Sequence, residues 1–121
     1  MGKINLFNNS TDYESFKQGE AIFNAGDAGE LAYVVKEGEV DILVAGKVLE
    51  RVVPGGIFGE MALIDNKPRS ASVVAATDCQ LVPISENRFT LLVQQTPFFA
   101  LEVMRVMADR LRRNVEIINK H

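Results

Sequence analysis

Residues that bind metals and form disulfide bridges are scarce in this sequence. Its 121 residues include a single cysteine, Cys79, and a single histidine, His121. Because a zinc or haem site needs several ligands of these types, we expect no metal and no resident cofactor. One cysteine cannot form an internal disulfide, which favours a reducing compartment, the cytoplasm. We expect Cys79 to be a small buried apolar residue in a strand, the alternative being a reactive thiol.

Long apolar runs and an excess of positive charge are also missing. Residues 1–10 lack the apolar run of a signal peptide, and no stretch approaches the roughly 20 apolar residues of a membrane span. The formal net charge of -3 is unlike that of proteins that hold nucleic acids through the phosphates. A basic cluster lies near the C-terminus, at Arg105, Arg110, Arg112 and Arg113. We interpret it as the solvated side of a helix rather than a nucleic-acid patch, and expect neither nucleic acid nor a membrane as partner.

The composition is typical of one globular domain. Hydrophobic residues make up 47% and charged residues 24% of the chain, a balance that excludes a largely disordered protein. The length is enough for one hydrophobic core and too short for two ordinary domains. We expect a single domain over residues 1–121, with a β-roll at about 11–85 and a helical lid at about 86–119.

Glycines recur at nearly even intervals through the first two thirds of the chain, separated by short β-branched and apolar runs. This spacing predicts short antiparallel strands joined by turns, and hence a sandwich or a jelly-roll-like β-roll. Val40, Ile42 and Val44 are expected to share one face of their strand. Strands are predicted at residues 31–35, 39–44, 48–53, 71–76 and 80–84.

From residue 85 the apolar pattern takes the period of a helix. Ser85 is a predicted N-cap, and Thr96 with Pro97 is predicted to end one helix and begin the next. The second helix is expected to run to about Asn119. The predicted fold is therefore mainly β, an antiparallel β-roll followed by a short helix and a long C-terminal helix.

The last helix carries apolar residues at alternating spacings of three and four over nearly three heptads. These residues, called the seam below, are Leu101, Met104, Ala108, Leu111, Val115 and Ile118. A second apolar group, Val103, Met107 and Ile117, is expected to rest on the β-roll. Because two apolar faces need two covering surfaces, we predict a parallel homodimer through the seam. The alternative is an amphipathic helix packed only on its own domain.

The segment 54–70 is too long for a hairpin loop, which is typical of a functional connection. Gly59 lets a ligand approach the backbone closely, and residues 61–64 are predicted to form one helical turn whose free N–H groups point at an anion. Arg69 presents a planar fork of donors suited to phosphate oxygens. Glu60 is an acceptor suited to a pair of sugar hydroxyls. The segment therefore predicts a site for the ribose and phosphate of a nucleotide.

Each of these residues also has a simpler interpretation. Glu60 and Arg69 can form a salt bridge with each other, Gly59 can serve only as a turn, and Ser70 can be a surface residue of a strand. The separation of nine positions between the two charges, within one loop of a β-roll, favours the ligand site.

The pattern F-G-E-M-A-L at residues 58–63, followed by P-R-S-A at 68–71, resembles the phosphate-binding cassette of the cyclic nucleotide-binding domain family. That family includes the bacterial catabolite activator protein, regulatory subunits of cAMP-dependent protein kinase and cyclic-nucleotide-gated channels. The similarity covers about residues 16–114. It implies a sensor that binds cAMP, with cGMP as the alternative, and transmits binding through its C-terminal helices. We expect no catalysis, because no nucleophile–base pair is visible.

The resemblance also implies roles for individual residues. Glu60 would accept from the ribose 2′-hydroxyl, and Arg69 would pair with the exocyclic phosphate oxygens. The Ser70 hydroxyl and the N–H groups of Ala62 and Ala71 would complete the phosphate cradle. Leu49 would pack on the base and Gly59 would lie against the ribose. Asn114, from the last helix, would contact the base. Phe58 and Met61 are also expected to contact the ligand. Asparagine both donates and accepts, so it does not by itself select adenine over guanine.

Two further expectations concern signalling and rival functions. Met61 and Leu63 are expected to couple the loop to Phe98 or Met104 in the last helix. One rival is a structural or protein-interaction roll that binds no nucleotide, against which the presence of both Glu60 and Arg69 argues. Another is the sensor part of a longer channel or transcription regulator, although the start at Met1 favours a complete small protein.

Overall fold

The structure is a computed structural model that describes residue 7 and residues 10–119, the last three of them by backbone alone. Within that part of the chain, two four-stranded antiparallel sheets have the strand orders β1-β8-β3-β6 and β2-β7-β4-β5. The strands are β1 (Glu14–Phe16), β2 (Ala21–Phe23), β3 (Leu31–Glu37), β4 (Val40–Val44), β5 (Lys47–Val52), β6 (Ile57–Phe58), β7 (Ser72–Ala75) and β8 (Cys79–Ser85). The predicted β-roll is confirmed.

The strands that the sequence analysis missed are the short ones, β1, β2 and β6. Each has only two or three residues, too few for an alternating pattern to be recognised. The turn between β4 and β5 lies between the strands predicted at residues 39–44 and 48–53. Ala45 and Gly46 both have positive φ there, of 52° and 78°, as two-residue hairpin turns require.

In the sheet β1-β8-β3-β6, strands β3 and β8 are buried on both faces. Successive side chains of a strand point to opposite faces, so Ala32 and Val34 lie on one side of β3 and Tyr33 and Val35 on the other. Tyr33 and Val35 belong to a core cluster that both sheets share, which also contains the buried Cys79. Ala32 and Val34 belong to a second cluster, formed with residues of the C-terminal helix.

The described residues form three helices, α1 (Met61–Asp65), α2 (Glu86–Gln95) and α3 (Pro97–Asn119). The predicted boundaries are confirmed: Ser85 Oγ accepts from the backbone N–H of Arg88 at 3.2 Å, and α3 begins at Pro97. The single turn predicted after Glu60 is α1, which ends at Asn66 in the left-handed conformation. No helix of residue 7 and residues 10–119 is long and apolar enough to cross a membrane.

Helix α3 packs on the outer face of the first sheet through Phe99, Val103 and Val106, with Met107 partly buried beside them. Val103 and Met107 were predicted to pack on the roll, and this prediction is confirmed. The third residue of that group, Ile117, has no described side chain. The seam points away from the roll. Its described members, which are all exposed, are Leu101, Met104, Ala108, Leu111 and Val115. Ile118, the last predicted member, has no described side chain.

Candidate ligand-binding site

A cavity of about 520 Å³ opens between strands β4 and β5, the loop that contains α1, and helix α3. This volume lies in the range of sites for small molecules. Every residue predicted to contact the ligand lines it: Leu49, Phe58, Gly59, Glu60, Met61, Ala62, Arg69, Ser70, Ala71 and Asn114. The fold therefore brings together the two halves of the predicted loop with a strand residue and a helix residue distant in sequence.

Gly59 shapes the start of the loop. It follows Phe58, whose ring is fully buried and stacks on Tyr33 with the ring centroids 5.4 Å apart. Gly59 has a φ of +77°, and a Cβ atom there would lie 2.9 Å from Nη1 of Arg69 and 3.3 Å from the carbonyl oxygen of Leu31. Glycine is needed here for both its conformation and its small size.

Arg69 is held against the wall of the cavity by uncharged groups. Nη1 donates to the carbonyl oxygen of Gly59 at 2.9 Å, and Nη2 donates to the carbonyl oxygen of Leu31. The guanidinium lies over the ring of Phe23, 3.9 Å from its centroid. These contacts fix the plane of the guanidinium, while the buried Nε atom has no hydrogen-bond partner among the described residues.

No carboxylate of the described residues makes an ion pair with Arg69, although the more distant charges of Asp27 and Glu60 favour its protonated form. The side chain is 92% buried, since its residue is only 8% exposed, and no carboxylate of the described residues lies within 4.0 Å of it. Burial lowers the pKa of Arg69 from its usual value, although arginine stays protonated in proteins. A buried cation without a counterion is a site that an anion stabilises.

Glu60 is almost fully buried, with 2% exposure, at the N-cap position of α1. Its side chain makes no capping hydrogen bond, and Oε1 instead accepts from Nη1 of Arg110 at 2.8 Å. The alternative interpretation of Glu60 and Arg69 as partners of one salt bridge is therefore wrong. The two side chains line the same cavity with different partners.

Arg110 was missed as a site residue, because it was placed in the solvated basic cluster. Its side chain is only 17% exposed. Nε donates to Oε1 of Glu50 at 2.9 Å, Nη1 donates to Glu60, and Nη2 donates to the carbonyl oxygen of Ile57. The signal available in the sequence was its position four residues before Asn114, which puts both on one face of a helix.

Gly29 was also missed, having been treated only as one of the regularly spaced glycines. A Cβ atom at Gly29 would lie 2.2 Å from the Cβ of Ala62 and 3.2 Å from Cζ of Arg69. The backbone at Gly29 therefore packs directly behind the loop. No local pattern reports this contact, because it joins residues more than 30 positions apart.

The opposite end of the cavity is apolar and open. Val44 and Leu49 line it and remain 45% and 40% exposed, and Asn114 of α3 adds an exposed amide. Apolar side chains beside a polar amide suit a planar base, which has an apolar face and polar edges.

Helix α1 is buried on one side only. Ala62 and Leu63 are buried, but Met61 and Ile64 are each 51% exposed, because a helix this short buries only one side. Leu63 belongs to the cluster of Phe99 and Val103.

The expected partners of the loop in α3 were wrong. Phe98 is 75% exposed and Met104 is 57% exposed, since both point away from the roll. Leu63 of α1 instead shares a buried cluster with Phe99, Val103 and Val106 of α3.

Comparison with known proteins agrees with this geometry. The sequence profile of the family described as "Cyclic nucleotide-binding domain" matches residues 13–96. The cyclic AMP receptor protein of Thermus thermophilus is 35% identical over 102 residues, covering 80% of this chain and 47% of that protein. The cAMP-dependent protein kinase regulatory subunit of Eremothecium gossypii is 34% identical over 109 residues, covering 81% of this chain and 24% of that protein. The crystal structure of the Thermus thermophilus catabolite activator protein matches with a TM-score of 0.78 and 32% identity, covering 88% of this chain and 53% of that chain.

The chain thus spans less than half the length of either curated relative. The names of these proteins describe a receptor, a regulatory subunit and an activator rather than enzymes. The profile match spans the strands β1 to β8, the whole loop from Phe58 to Ala71 and helix α2. The resemblance inferred from the loop is confirmed: the chain belongs to the cyclic nucleotide-binding domain family.

Proposed function

We propose that this chain binds a cyclic mononucleotide in the cavity, cAMP as the favoured ligand and cGMP as the alternative. The observation that carries the proposal is Arg69, a buried cation in the cavity wall that has no carboxylate of residue 7 or residues 10–116 within ion-pair distance. A cyclic phosphodiester carries a single negative charge and can therefore act as the counterion of Arg69. Charge-assisted hydrogen bonds of this kind are among the stronger hydrogen bonds in proteins. The two curated relatives named for cAMP support this choice.

The phosphate is assigned to the second half of the loop. Arg69 donates to its exocyclic oxygens, with the guanidinium plane already set by the carbonyls of Gly59 and Leu31. The Ser70 hydroxyl and the backbone N–H groups of Ala62 and Ala71 complete the set of donors. Preorganised donors pay little conformational entropy on binding, which favours affinity.

The ribose is assigned to Glu60 and Gly59. Arg110 contacts Oε1 of Glu60, and Oε2 is the atom that we assign to the ribose 2′-hydroxyl. Arg110 also supplies positive charge beside Glu60, which reduces the repulsion between this carboxylate and the ligand's phosphate. The absence of a Cβ atom at Gly59 leaves room for the sugar.

The base is assigned to the open end of the cavity. Leu49 and Val44 contact its apolar face, and Asn114 from α3 contacts its polar edge, together with Phe58 and Met61 in the wall. Because an amide both donates and accepts, Asn114 serves adenine and guanine alike. We therefore expect both cyclic nucleotides to bind, with cAMP as the favoured ligand.

We propose that binding is transmitted through helix α3. The helix contributes Arg110 and Asn114 to the cavity, so a ligand that contacts the loop and the helix together favours one placement of α3 over others. Leu63 links the loop to the same helix from beneath, through the cluster that contains Phe99 and Val103.

We propose a parallel homodimer through the seam. Its described side chains are exposed in the single chain, and they follow a heptad spacing that a second copy of α3 can cover. A polar amide at Asn114 lies next to Val115 of the seam, so the partner helix would approach the base end of the cavity.

In broader terms, we propose a sensor in the cytoplasm that forms one domain over residues 1–121. We propose that it catalyses no reaction, carries no cofactor, and has neither a membrane nor nucleic acid as a partner. Its effector is either a separate partner or further parts of a longer channel or transcription regulator. The rival function, a roll that binds no nucleotide, has no support in the cavity wall, where Arg69 would remain a buried charge without a counterion.

Isothermal titration of the chain with cAMP, cGMP, 5′-AMP and adenosine tests the proposal. We expect saturable binding of one cAMP per chain, weaker binding of cGMP, and little or no binding of adenosine, which lacks the phosphate. 5′-AMP is expected to bind less well than cAMP, because its second phosphate charge has no buried cation to meet it. A folded protein that binds neither cyclic nucleotide would overturn the proposal.

A further inference from the structure

Glu50 is a partly buried carboxylate that the proposed ligand contacts do not use. Its side chain is 14% exposed on strand β5, and it lines both the ligand cavity and a smaller cleft between β5 and α3. Oε1 accepts from Nε of Arg110 at 2.9 Å and lies 3.5 Å from Nη2 of Arg113. Two arginines of α3 therefore meet at one carboxylate of the roll.

A β-bulge turns Glu50 toward the helix. Across the β4–β5 pair, Ile42 is opposite Glu50, but the next residue of β4, Leu43, is opposite Val48. Leu49 is the extra residue of this bulge. Adjacent residues of a regular strand point to opposite faces, whereas a bulge re-aims one of them. As a result, Leu49 and Glu50 both reach the wall of the cavity.

Arg110 joins three separate parts of the roll to α3. Its acceptors are Glu50 on β5, the carbonyl of Ile57 on β6, and Glu60 at the start of α1. Of the two carboxylates, Glu60 faces the proposed ribose, while the partners of Glu50 among the described side chains are two arginines of the helix. Ligand binding is therefore not expected to disrupt the contact between Glu50 and Arg110.

We propose that Glu50 is a positioning residue, which holds α3 against the roll before a ligand enters and thereby keeps Arg110 and Asn114 in the cavity wall. The closed placement of the helix is then largely populated without nucleotide. A ligand's apparent affinity falls in proportion to the fraction of protein in the competent state, so this contact raises affinity. The role of Glu50 in positioning α3 does not depend on the proposed function, whereas its effect on affinity rests on the proposed nucleotide binding.

Amide hydrogen exchange of the full chain without nucleotide tests the position of α3. Glu50→Gln keeps the size of the side chain and removes its charge. We expect exchange over residues 106–116 to become about tenfold faster, the scale of one charged hydrogen bond, while α2 and β3 keep their protection. Glu39→Gln is the matched control, because Glu39 makes a more exposed and longer ion pair with Arg51, at 3.8 Å.

Three results would overturn the proposal: unchanged exchange in α3, an equal loss of protection in α2 and β3, or the same change in Glu39→Gln. A residue that merely stabilised the fold would give the second of these.

A second readout separates Glu50 from the ligand contacts. We expect Glu50→Gln to bind cAMP several-fold more weakly, and saturating cAMP to restore the wild-type protection of α3, because the ligand then holds the helix. Persistent fast exchange at saturation would contradict a positioning role. If the wild-type chain binds no nucleotide, the proposed function fails, yet the exchange measured without nucleotide still decides the role of Glu50.

Discussion

Arg69 and Glu60 line one cavity, are both at least 92% buried, and make no ion pair with each other. Arg69 is held by backbone carbonyls, whereas Glu60 pairs with Arg110 of helix α3. An ion pair between them would have neutralised both charges and closed the loop on itself. Their separation leaves a cation for an anionic group and an acceptor for a hydroxyl, facing one space.

Loss of the guanidinium at position 69 is expected to abolish most nucleotide binding. Arg69→Leu should weaken cAMP binding by about 2–5 kcal/mol, because the bound phosphate loses its charged partner while it remains desolvated. Titration calorimetry measures the loss, and circular dichroism checks the fold. Arg51→Leu, a change at an exposed arginine of β5, should bind as the wild type does. Tight binding by Arg69→Leu would refute the phosphate assignment.

The ribose assignment predicts coupling between Glu60 and one hydroxyl of the ligand. Wild-type protein should bind 2′-deoxy-cAMP about 1–3 kcal/mol more weakly than cAMP, the usual scale for a charged hydrogen bond. Glu60→Ala should weaken cAMP binding by a similar amount and no longer distinguish the two ligands. A double-mutant cycle, with the ligand as one partner, measures this coupling. If Glu60→Ala discriminates between the ligands as strongly as wild type does, Glu60 does not contact the 2′-hydroxyl.

A methyl group at position 29 is expected to disturb the loop from behind. Gly29→Ala would place its Cβ 2.2 Å from that of Ala62, so α1 and Arg69 must shift. Overpacking of this kind costs about 1–3 kcal/mol, and we expect lower stability together with weaker cAMP binding. Urea unfolding and titration calorimetry measure the two effects.

The matched control for this change is Gly29→Ala combined with Ala62→Gly, which removes the atom that the new methyl meets. The double variant should recover part of the stability and of the binding. Wild-type behaviour of the single variant would show that the loop does not depend on close packing at Gly29.

Alkaline pH is expected to destabilise the protein through Cys79 before Tyr33. Burial raises the pKa of the Cys79 thiol above its usual 9.0, and burial followed by the charge of Glu14 raises the pKa of Tyr33 above 10.0. The unfolded chain therefore releases these protons at lower pH than the folded one. Their contribution to stability is complete below the usual values and is lost as the pH rises through the raised ones.

Urea unfolding midpoints between about pH 7 and 11 measure this loss. In Cys79→Ala, the loss of stability that begins at lower pH should disappear. The loss at higher pH, which is due to Tyr33, should remain. The buried thiol should also react slowly with an alkylating reagent at neutral pH. Rapid alkylation of the folded protein, or pH profiles that coincide for wild type and Cys79→Ala, would contradict this expectation.

The seam predicts an association that one charge disrupts. Leu111 is 66% exposed in the single chain, and Leu111→Asp would put a charge into the centre of the proposed dimer contact. Sedimentation velocity should show a dimer for wild type and a monomer for the variant. Leu91→Asp, at an exposed apolar residue of α2 outside the seam, should remain dimeric. A monomeric wild type at high concentration would refute the seam.

Local signals were enough to predict most of the fold. The N-cap at Ser85 and the start of α3 at Pro97 depend on residues within one helical turn, and β4 shows its period of two within five residues. The loop from Phe58 to Ala71 was also readable, because its glycine, carboxylate and arginine are close together in the chain. Short strands such as β6 hold too few residues to leave a pattern.

Only the tertiary structure decided which charges are buried together. The sequence places Arg110 on the helix face of Asn114 but does not show that it is buried, because its partners Glu50 and Glu60 are 60 and 50 positions away. Gly29 likewise acquires its role only when Ala62 and Arg69 fold onto it. Periodicity and capping report forces between near neighbours, whereas the burial of a charge depends on which distant surface covers it. The loop and the helix could therefore be predicted from the sequence, but the contacts of Arg110 that join them could not.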